Sequence, residues 1–331
     1  MEVTVFKRRL ILSGFGGAAM VLSGMRVTCA DVYLSTSTSL KALKVHPYLK
    51  GFAGHLMPRQ GDIDRDLTLA QVGRLMPWHG FVHPEEIVDS LNRLIKDEMG
   101  GKRVFFSFYE EPTFAAQTGL FFFRGKPGAP FAVVCPGGGF AYVGSLHEGF
   151  PLAQAISQRG LNAFVIQYRL GGARRACEDL AQALAWIADH ARALGVAKYD
   201  YSLWGGSAGA RMAAYLGSYG TPTFGARSVV KPAAVIMAYT GHTDYTDHDP
   251  PTYAIVSRND PIADADTMRK RLIRLAALGI PTRFHLCRYA GHGFGLGTGS
   301  DAQGWVDEAV DFWIEQIKGK GNENKDSRQG S

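Results

Sequence analysis

Apolar residues follow two alternating patterns along the chain from residue 104 onward. Short apolar runs of four to six residues have the length and composition of buried strands, and they lie at 104–109, 120–123, 131–135, 163–168, 201–204, 233–238, 253–256 and 283–286. Apolar residues also recur at helical spacing, at 151–159, 174–194, 208–218, 263–279 and 302–317. Because strands that alternate with helices pair in parallel, the pattern predicts an α/β fold: a doubly wound, mostly parallel β-sheet with helices on both faces.

The chain before this region has a different character. Segments 68–76 and 84–99 space their apolar residues as helices do. Residues 31–100 are therefore predicted to form an N-terminal helical extension. No linker rich in proline, glycine or serine interrupts the strand-containing region, so we expect one domain over 101–318. The polar tail at 319–331 is predicted to be disordered.

Residues 1–30 have the pattern of a secretory signal. A basic cluster at 7–9 precedes an apolar run at 10–25 and the triplet Thr28-Cys29-Ala30, so cleavage is predicted before Asp31. The paired arginines also resemble a twin-arginine signal, with Lys7 where serine or threonine is usual. The pattern predicts a periplasmic or secreted protein. Two alternatives stay open: a wrongly assigned start in front of a cytoplasmic protein, and an uncleaved anchor.

Composition and charge exclude several classes of protein. The 331 residues are 46% hydrophobic and 20% charged, which is typical of a globular chain and not of a disordered one. No apolar run reaches the ~18 to 20 residues of a membrane span. Of the formal charge of +6, the two termini carry most, and the body has no basic stripe with interleaved aromatic residues. A nucleic-acid partner is therefore not expected.

Cysteine and histidine patterns predict neither a disulfide framework nor a metal site. Cleavage would leave Cys135, Cys177 and Cys287, an odd number without a C-x-x-C pair, so buried thiols are expected. The clusters at 242–244 and 247–249 combine histidine with aspartate and could be read as metal ligands. Loops of this composition are more often simply solvated, and no H-E-x-x-H motif occurs. We expect no metal and no cofactor.

The strongest chemical signal is a Gly-x-Ser-x-Gly motif around Ser207. An apolar strand at 201–204 runs into Gly205-Gly206-Ser207-Ala208-Gly209 and then directly into a helix. A nucleophilic serine on a strained strand-to-helix turn requires this context, because side chains at the flanking glycines would collide with neighbouring backbone. The helix that follows would also direct its amide groups toward a developing oxyanion. Ser207 is therefore the candidate nucleophile.

A serine hydroxyl becomes nucleophilic when an imidazole accepts its proton and a carboxylate orients that imidazole. Asp260 follows the strand at 253–256, and His292 follows the strand at 283–286, so the chain order is Ser, Asp, His. Each residue alone would be a weak signal. In this order, after successive strands, they form a candidate triad. Asp264 and Asp266 are the alternative acids, although both are expected to lie in the following helix.

A run of glycines after the strand at 131–135 completes the candidate site. Unhindered amides can approach an oxyanion closely, so Gly138 and Gly139, together with Ala208 after the serine, are the expected donors. A phosphate-binding loop is the competing interpretation. It fits poorly, because no Lys-Ser/Thr pair follows the glycines and no G-x-G-x-x-G opens a helix.

Taken together, these motifs resemble the α/β-hydrolase superfamily, and within it the acetylesterase and hormone-sensitive-lipase-like enzymes. The similar segments lie within roughly 117–317 and are Pro136–Phe140, His147–Gly149, Tyr168-Arg169, Gly205–Gly209, Asn259–Pro261 and Gly291–Gly297. The resemblance implies an eight-stranded sheet and a serine-esterase mechanism, with Ser207, Asp260 and His292 in the family's roles. Pro136 stands where lipase-type members usually have histidine. The proline form resembles bacterial enzymes that deacetylate carbohydrates.

The sequence thus predicts a serine carboxylic-ester hydrolase whose partner is a small-molecule or carbohydrate ester, with a short acyl group such as acetyl. Two alternatives remain: an acyltransferase that uses the same triad, and a catalytically idle α/β-hydrolase that serves as a binding module. His147 and Glu148 could line the substrate mouth or cap the helix that starts near Pro151. The oligomeric state and the role of residues 31–100 stay open.

The signal interpretation predicts a mature protein that begins at Asp31. N-terminal sequencing of material recovered from the periplasm or medium of an expressing bacterium would read Asp-Val-Tyr-Leu. Recovery only of soluble cytoplasmic protein with Met1 intact would contradict export.

Overall fold

The apolar runs form one sheet of eight strands in the computed structural model, which describes residues 32–329, with side chains to residue 319. The strands are β1 (Phe105–Phe106), β2 (Gly119–Phe123), β3 (Phe131–Cys135), β4 (Asn162–Gln167), β5 (Ser202–Gly206), β6 (Ala234–Ala238), β7 (Thr252–Ser257) and β8 (Thr282–Cys287). Their order across the sheet is β1-β2-β4-β3-β5-β6-β7-β8. The β1–β2 and β2–β4 pairs are antiparallel, and all pairs from β4 to β8 are parallel.

Eight α-helices occur among the described residues. They are α1 (Leu40–Val45), α2 (Pro84–Met99), α3 (Pro112–Ala115), α4 (Phe150–Gln158), α5 (Ala173–Leu194), α6 (Ala208–Tyr219), α7 (Ala265–Ala277) and α8 (Trp305–Gln329). Short 3-10 segments lie at Ala53–Leu56, Gln60–Asp64, Leu69–Leu75 and Thr221–Phe224, and a π-helical turn at Ser145–Gly149 leads into α4. The segment predicted as a helix at 68–76 is therefore a 3-10 segment.

The direction of the chain across the sheet determines where the functional edge lies. From β3, the crossover through α4 leads toward the β1 edge, whereas the crossovers through α5, α6 and α7 lead toward the β8 edge. Because parallel crossovers are right-handed, opposite directions place the helices on opposite faces. The sheet is therefore doubly wound, as predicted. The order reverses between β3 and β5, and a crevice for ligands forms outside the carboxyl ends of strands at such a point.

The sheet is held by a continuous apolar core. All residues of β2 to β7 are buried, which is typical of parallel strands covered on both faces. Phe122 and Phe164 stack across neighbouring strands with ring centroids 4.3 Å apart. On the side toward α8, Trp204 packs against Trp305. The core therefore fixes the strand ends on which the site residues lie.

The N-terminal extension is packed onto this domain. Helix α2 begins with proline in its first turn and two glutamates that complement the helix dipole, and its apolar face contacts α4. From Tyr33 onward the described chain forms one compact unit. Within that unit, the loop between the 3-10 segment at Leu69–Leu75 and α2 reaches the carboxyl edge of the sheet.

Two differences from the sequence prediction concern the ends of elements. Strand β1 covers only two residues of the run at 104–109, because it is an edge strand and the chain turns into α3 soon afterwards. Helix α8 continues to Gln329, through most of the tail predicted to be disordered; no proline interrupts it, and its glycines are tolerated within a helix. The predicted signal at 1–30 lies outside the described residues. Within residues 32–329, no helix is long and apolar enough to cross a bilayer.

Candidate active site

The candidate nucleophile lies on a strained turn between β5 and α6. Ser207 has φ 51° and ψ −115°, a left-handed conformation that non-glycine residues rarely adopt. Its amide donates to the carbonyl oxygen of Ala238 at 2.9 Å. At Gly209, an added Cβ would lie 1.8 Å from the carbonyl oxygen of Cys135. Glycine is therefore required here, because α6 begins directly against the end of β3.

Ser207, His292 and Asp260 form a hydrogen-bonded series. The Ser207 Oγ lies 3.0 Å from His292 Nε2, and His292 Nδ1 lies 2.8 and 3.0 Å from the two carboxylate oxygens of Asp260. Asp260 Oδ1 also accepts from the amides of Ile262 and Ala263, both at 2.8 Å. The aspartate accepts only, so Nδ1 carries a proton and Nε2 is left to accept from the serine. This is the arrangement that nucleophilic serine chemistry requires.

The alternative acids lie elsewhere. Asp264 precedes α7 and caps it, its side chain accepting from the amide of Thr267 at 2.6 Å. Asp266 is exposed and pairs with Arg269 at 2.9 Å. The structure brings neither carboxylate to His292.

The glycine loop after β3 faces the start of α6. Gly138 and Gly139 have φ values of 127° and 61°, which glycine adopts without strain. The Gly137 amide donates to Glu148 Oε2 at 2.5 Å. Within residues 32–329, by contrast, no acceptor is found for the amides of Gly138, Gly139 and Ala208. These three amides are the expected oxyanion donors, and the loop approaches Ser207 at Gly137, where an added Cβ would lie 3.1 Å from the Ser207 Cβ.

Residues of the extension also belong to this edge of the sheet, a contribution that sequence analysis missed. The Gly80 amide donates to the carbonyl oxygen of His292 at 3.1 Å. The Trp78 ring lies over the glycine loop, where a Cβ on Gly139 would come within 2.6 Å of it. A Cβ on Gly293 would similarly lie 2.7 Å from the Trp78 carbonyl oxygen. The glycine-rich run around His292 was the available signal, since it indicates close approach by another segment.

His147 and Glu148 lie in the π-helical turn and are buried, at 1% and 2% exposure, so they do not line an exposed substrate mouth. Glu148 Oε1 lies 2.9 Å from His79 Nε2 and accepts from the Tyr239 hydroxyl at 2.9 Å. Burial alone would raise the pKa of Glu148, but the charge and hydrogen bond of His79, with the Gly137 amide, outweigh it and lower the pKa to about 2. Glu148 is therefore ionised.

His147 has a different environment. Its Nε2 lies 2.9 Å from the Gly293 carbonyl oxygen, and its ring occupies the space that a Cβ on Gly295 would need. Burial and the neighbouring His79 lower the pKa of His147 to about 4. The neutral ring therefore supports the loop that carries His292.

The other candidate ligands differ in burial: His242 and Asp249 are buried, whereas Asp244, Asp247 and His248 are exposed. His242 is buried with its ring 4.6 Å from that of Tyr215, and burial lowers its pKa to about 4. Asp249 pairs with the buried guanidinium of Arg271 at 2.5 Å. The described part of the chain contains no group of three or more His, Cys, Asp or Glu side chains arranged for a metal ion. Cys135, the cysteine nearest the site, is a buried free thiol.

A cavity of about 220 Å³ opens between the extension and the residues that follow β4. Its polar lining includes Arg59, Gln117, Gln167 and Arg169. Tyr168, which also lines it, donates its hydroxyl to the Pro136 carbonyl oxygen at 2.7 Å. The cavity is therefore adjacent to the base of the glycine loop.

Comparisons with known proteins identify the fold. A family model described as BD-FAE, an α/β-hydrolase-type domain, matches residues 124–262, which include β3 to β7 and the Gly-x-Ser-x-Gly turn. No curated protein sequence matches the chain.

Similar solved structures agree with this match. MGS-M1, an α/β-hydrolase enzyme from a Medee basin deep-sea metagenome library, is 22% identical, with 65% of this chain and 97% of that chain covered and a TM-score of 0.55. A thermophilic esterase from the Planctomycetes species Thermogutta terrifontis, bound to propionate, is 19% identical, with 64% and 93% covered and a TM-score of 0.56. An acetyl ester-xyloside bifunctional hydrolase from Caldicellulosiruptor lactoaceticus is 17% identical, with 65% and 96% covered and a TM-score of 0.56. The predicted fold is confirmed.

The contact at Gly209 generates a stability prediction. Substitution Gly209→Ala forces α6 away from β3, and we expect it to destabilise the protein by about 3 kcal/mol or more. Gly241→Ala is the matched control, since a Cβ there meets nothing within 4 Å, and its effect should stay within about 0.5 kcal/mol. Urea unfolding measures both. Equal stability of the two variants would contradict the close approach.

Proposed function

We propose that this α/β-hydrolase-fold protein is a serine carboxylic-ester hydrolase. One observation carries the proposal: the Ser207 hydroxyl, on a strained turn, is hydrogen-bonded to His292 Nε2, and His292 Nδ1 is hydrogen-bonded to the buried carboxylate of Asp260. Serine and histidine alone pack together in many proteins. The amides of Ala208, Gly138 and Gly139 have no acceptor in the described chain. Together with a serine in this backbone conformation, they are the combination that acyl transfer needs.

The acylation step follows from the hydrogen bonds. His292 Nε2 takes the Oγ proton as Oγ attacks the ester carbonyl carbon, and the carbonyl oxygen becomes an oxyanion held by the amides of Gly138, Gly139 and Ala208. When the carbon–oxygen bond of the leaving alcohol breaks, His292 gives its proton to that alcohol. Asp260 orients the imidazole and stabilises its positive charge without being protonated.

Deacylation repeats the sequence with water. His292 takes a proton from the water as its oxygen attacks the acyl carbon, and the same amides hold the second oxyanion. When the acyl–Oγ bond breaks, the proton returns to Ser207 Oγ and the carboxylic acid leaves. An acyltransferase would differ only in the nucleophile, with an alcohol in place of water.

We propose short acyl esters, acetyl in particular, as the substrate class, with carbohydrate as the alcohol. Pro136 at the head of the glycine loop supports this, through the resemblance to carbohydrate deacetylases. Trp78 is 43% exposed beside that loop and offers a flat apolar surface to the C–H face of a sugar ring. The neighbouring cavity is lined by amide and guanidinium groups, which hydrogen-bond hydroxyl groups well.

Export to the periplasm or medium belongs to the same proposal. Its support is the signal pattern at 1–30, which would place the enzyme where polymeric plant or cell-wall sugars are found.

The function is tested with p-nitrophenyl acetate, butyrate and octanoate on the purified protein beside Ser207→Ala. We expect the highest kcat/KM on acetate, and a loss of about a millionfold in kcat for the variant. Added alcohol acceptors separate hydrolysis from acyl transfer. If wild type and Ser207→Ala are equally inactive on every ester, the idle binding module or a dedicated acyltransferase becomes the better explanation.

The identity of the acid is tested by Asp260→Asn against Asp264→Asn. Loss of the Asp260 carboxylate leaves the imidazole in the wrong tautomer, so we expect kcat to fall by about 10⁴. Asparagine at 264 still caps α7, so activity should stay within about twofold. A larger loss for Asp264→Asn would reassign the acid.

A further inference from the structure

We propose that Glu148 and His79 form a positioning pair for the reaction at Ser207. In this proposal Glu148 holds the glycine loop after β3 in the conformation that leaves the Gly138 and Gly139 amides free, and His79, carried by the N-terminal extension, compensates the charge of Glu148. The inference rests on the proposed esterase function and extends it to two residues outside the triad.

The Glu148 carboxylate connects three separate parts of the chain. Oε2 accepts from the Gly137 amide at 2.5 Å, Oε1 accepts from the Tyr239 hydroxyl at 2.9 Å, and Oε1 lies 2.9 Å from His79 Nε2. These partners belong to the glycine loop, to the segment after β6, and to the extension. A wide π-helical turn presents Glu148 to all three, and such turns are frequent at functional sites.

The carboxylate also lies close to the nucleophile turn. A Cβ added to Gly206, the residue before Ser207, would lie 2.7 Å from Glu148 Oε2. The Tyr239 ring, held by Glu148, packs edge-on against His292 with centroids 5.1 Å apart. Glu148 is therefore in a position to influence the nucleophile, the base and the oxyanion donors, although it is buried beneath them.

The bond to Gly137 determines which amides remain available. Glu148 accepts a hydrogen bond from the amide of Gly137, the first glycine of the run, and thereby fixes the orientation of the peptide before the next two glycines. Those next amides, of Gly138 and Gly139, have no acceptor within the described chain. Without the carboxylate, the Gly137 amide would lose its acceptor, and a misplacement of the next two amides by about 1 Å can cost about a hundredfold in rate.

A buried negative charge near an oxyanion would oppose catalysis unless it is compensated. His79 is placed to do this: its side chain is 2% exposed and its Nε2 faces the carboxylate. Nε2 lies 2.9 Å from Oε1, which is an ion-pair distance, and Nδ1 lies 2.9 Å from the Tyr142 hydroxyl. These two contacts hold the imidazole, and with it the extension, against the site.

The test compares Glu148→Ala, Glu148→Gln and His79→Ala with p-nitrophenyl acetate as substrate. The oxyanion donors that Glu148 positions act mainly in the transition state. Glu148→Ala should therefore lower kcat by about a hundredfold while KM changes by less than about threefold. Glu148→Gln keeps an acceptor for the Gly137 amide and should stay within about tenfold of wild type. Stoichiometric release of p-nitrophenol from diethyl p-nitrophenyl phosphate counts folded active sites in each variant.

The pairing itself is tested by a double-mutant cycle. His79→Ala should lower kcat by about tenfold in the wild type, where a charge is left uncompensated. In the Glu148→Gln background no charge remains, so the same change should cost less than about threefold. Asp249→Asn is the control for loss of a buried carboxylate away from the triad; we expect lower stability with kcat within about twofold.

Three results would overturn the proposal: a wild-type kcat in Glu148→Ala, a loss explained entirely by fewer titratable sites, or an equal cost of His79→Ala in both backgrounds. Failure of the proposed function is distinguishable, because wild type and Ser207→Ala would then be equally inactive. In that case urea unfolding of wild type, His79→Ala, Glu148→Gln and the double variant still measures the coupling free energy between the two residues. A coupling near zero contradicts the pairing.

Discussion

The close approach of two backbone segments, the end of β3 and the start of α6, is the constraint on which the site depends. Gly209 allows α6 to begin against the Cys135 carbonyl oxygen, and this contact places the strained Ser207 turn beside the glycine loop. Both segments lie where the strand order reverses, so the candidate nucleophile and the glycine loop come from neighbouring strands. The buried sheet fixes these strand ends, and the strain at Ser207 persists because the surrounding structure over-determines it.

The N-terminal extension contacts the edge of the sheet on which the candidate site residues lie. Through Trp78, His79 and Gly80 it contacts the glycine loop, the buried Glu148 and the His292 backbone. The glycines around His292 make room for these contacts and for the His147 ring. An extension outside the strand-containing region thus supports the candidate base and places the exposed indole of Trp78 beside the glycine loop.

Local patterns predicted the strands and the candidate triad, whereas contacts between distant segments escaped prediction. Strands buried on both faces are continuous apolar runs, so β2 to β7 were visible in the sequence. The order Ser207, Asp260, His292 made three weak signals informative together. The partnership of His79 with Glu148 could not be predicted, because neither residue stands in a recognisable motif with the other. The segment at Leu69–Leu75 has helical spacing but forms 3-10 turns, a distinction that periodicity does not resolve.

The hydrogen bond from Gly80 to His292 joins the early part of the chain to its last sixth. A ribosome synthesises the extension, the glycine loop and the serine turn before the histidine loop, so a chain made only as far as the serine turn lacks the candidate base. Contacts between such distant positions also close late in folding, since their loop entropy is lost before they contribute stability. The geometry therefore predicts that the candidate triad is assembled only after the segment that carries His292 has been synthesised and has docked against the extension.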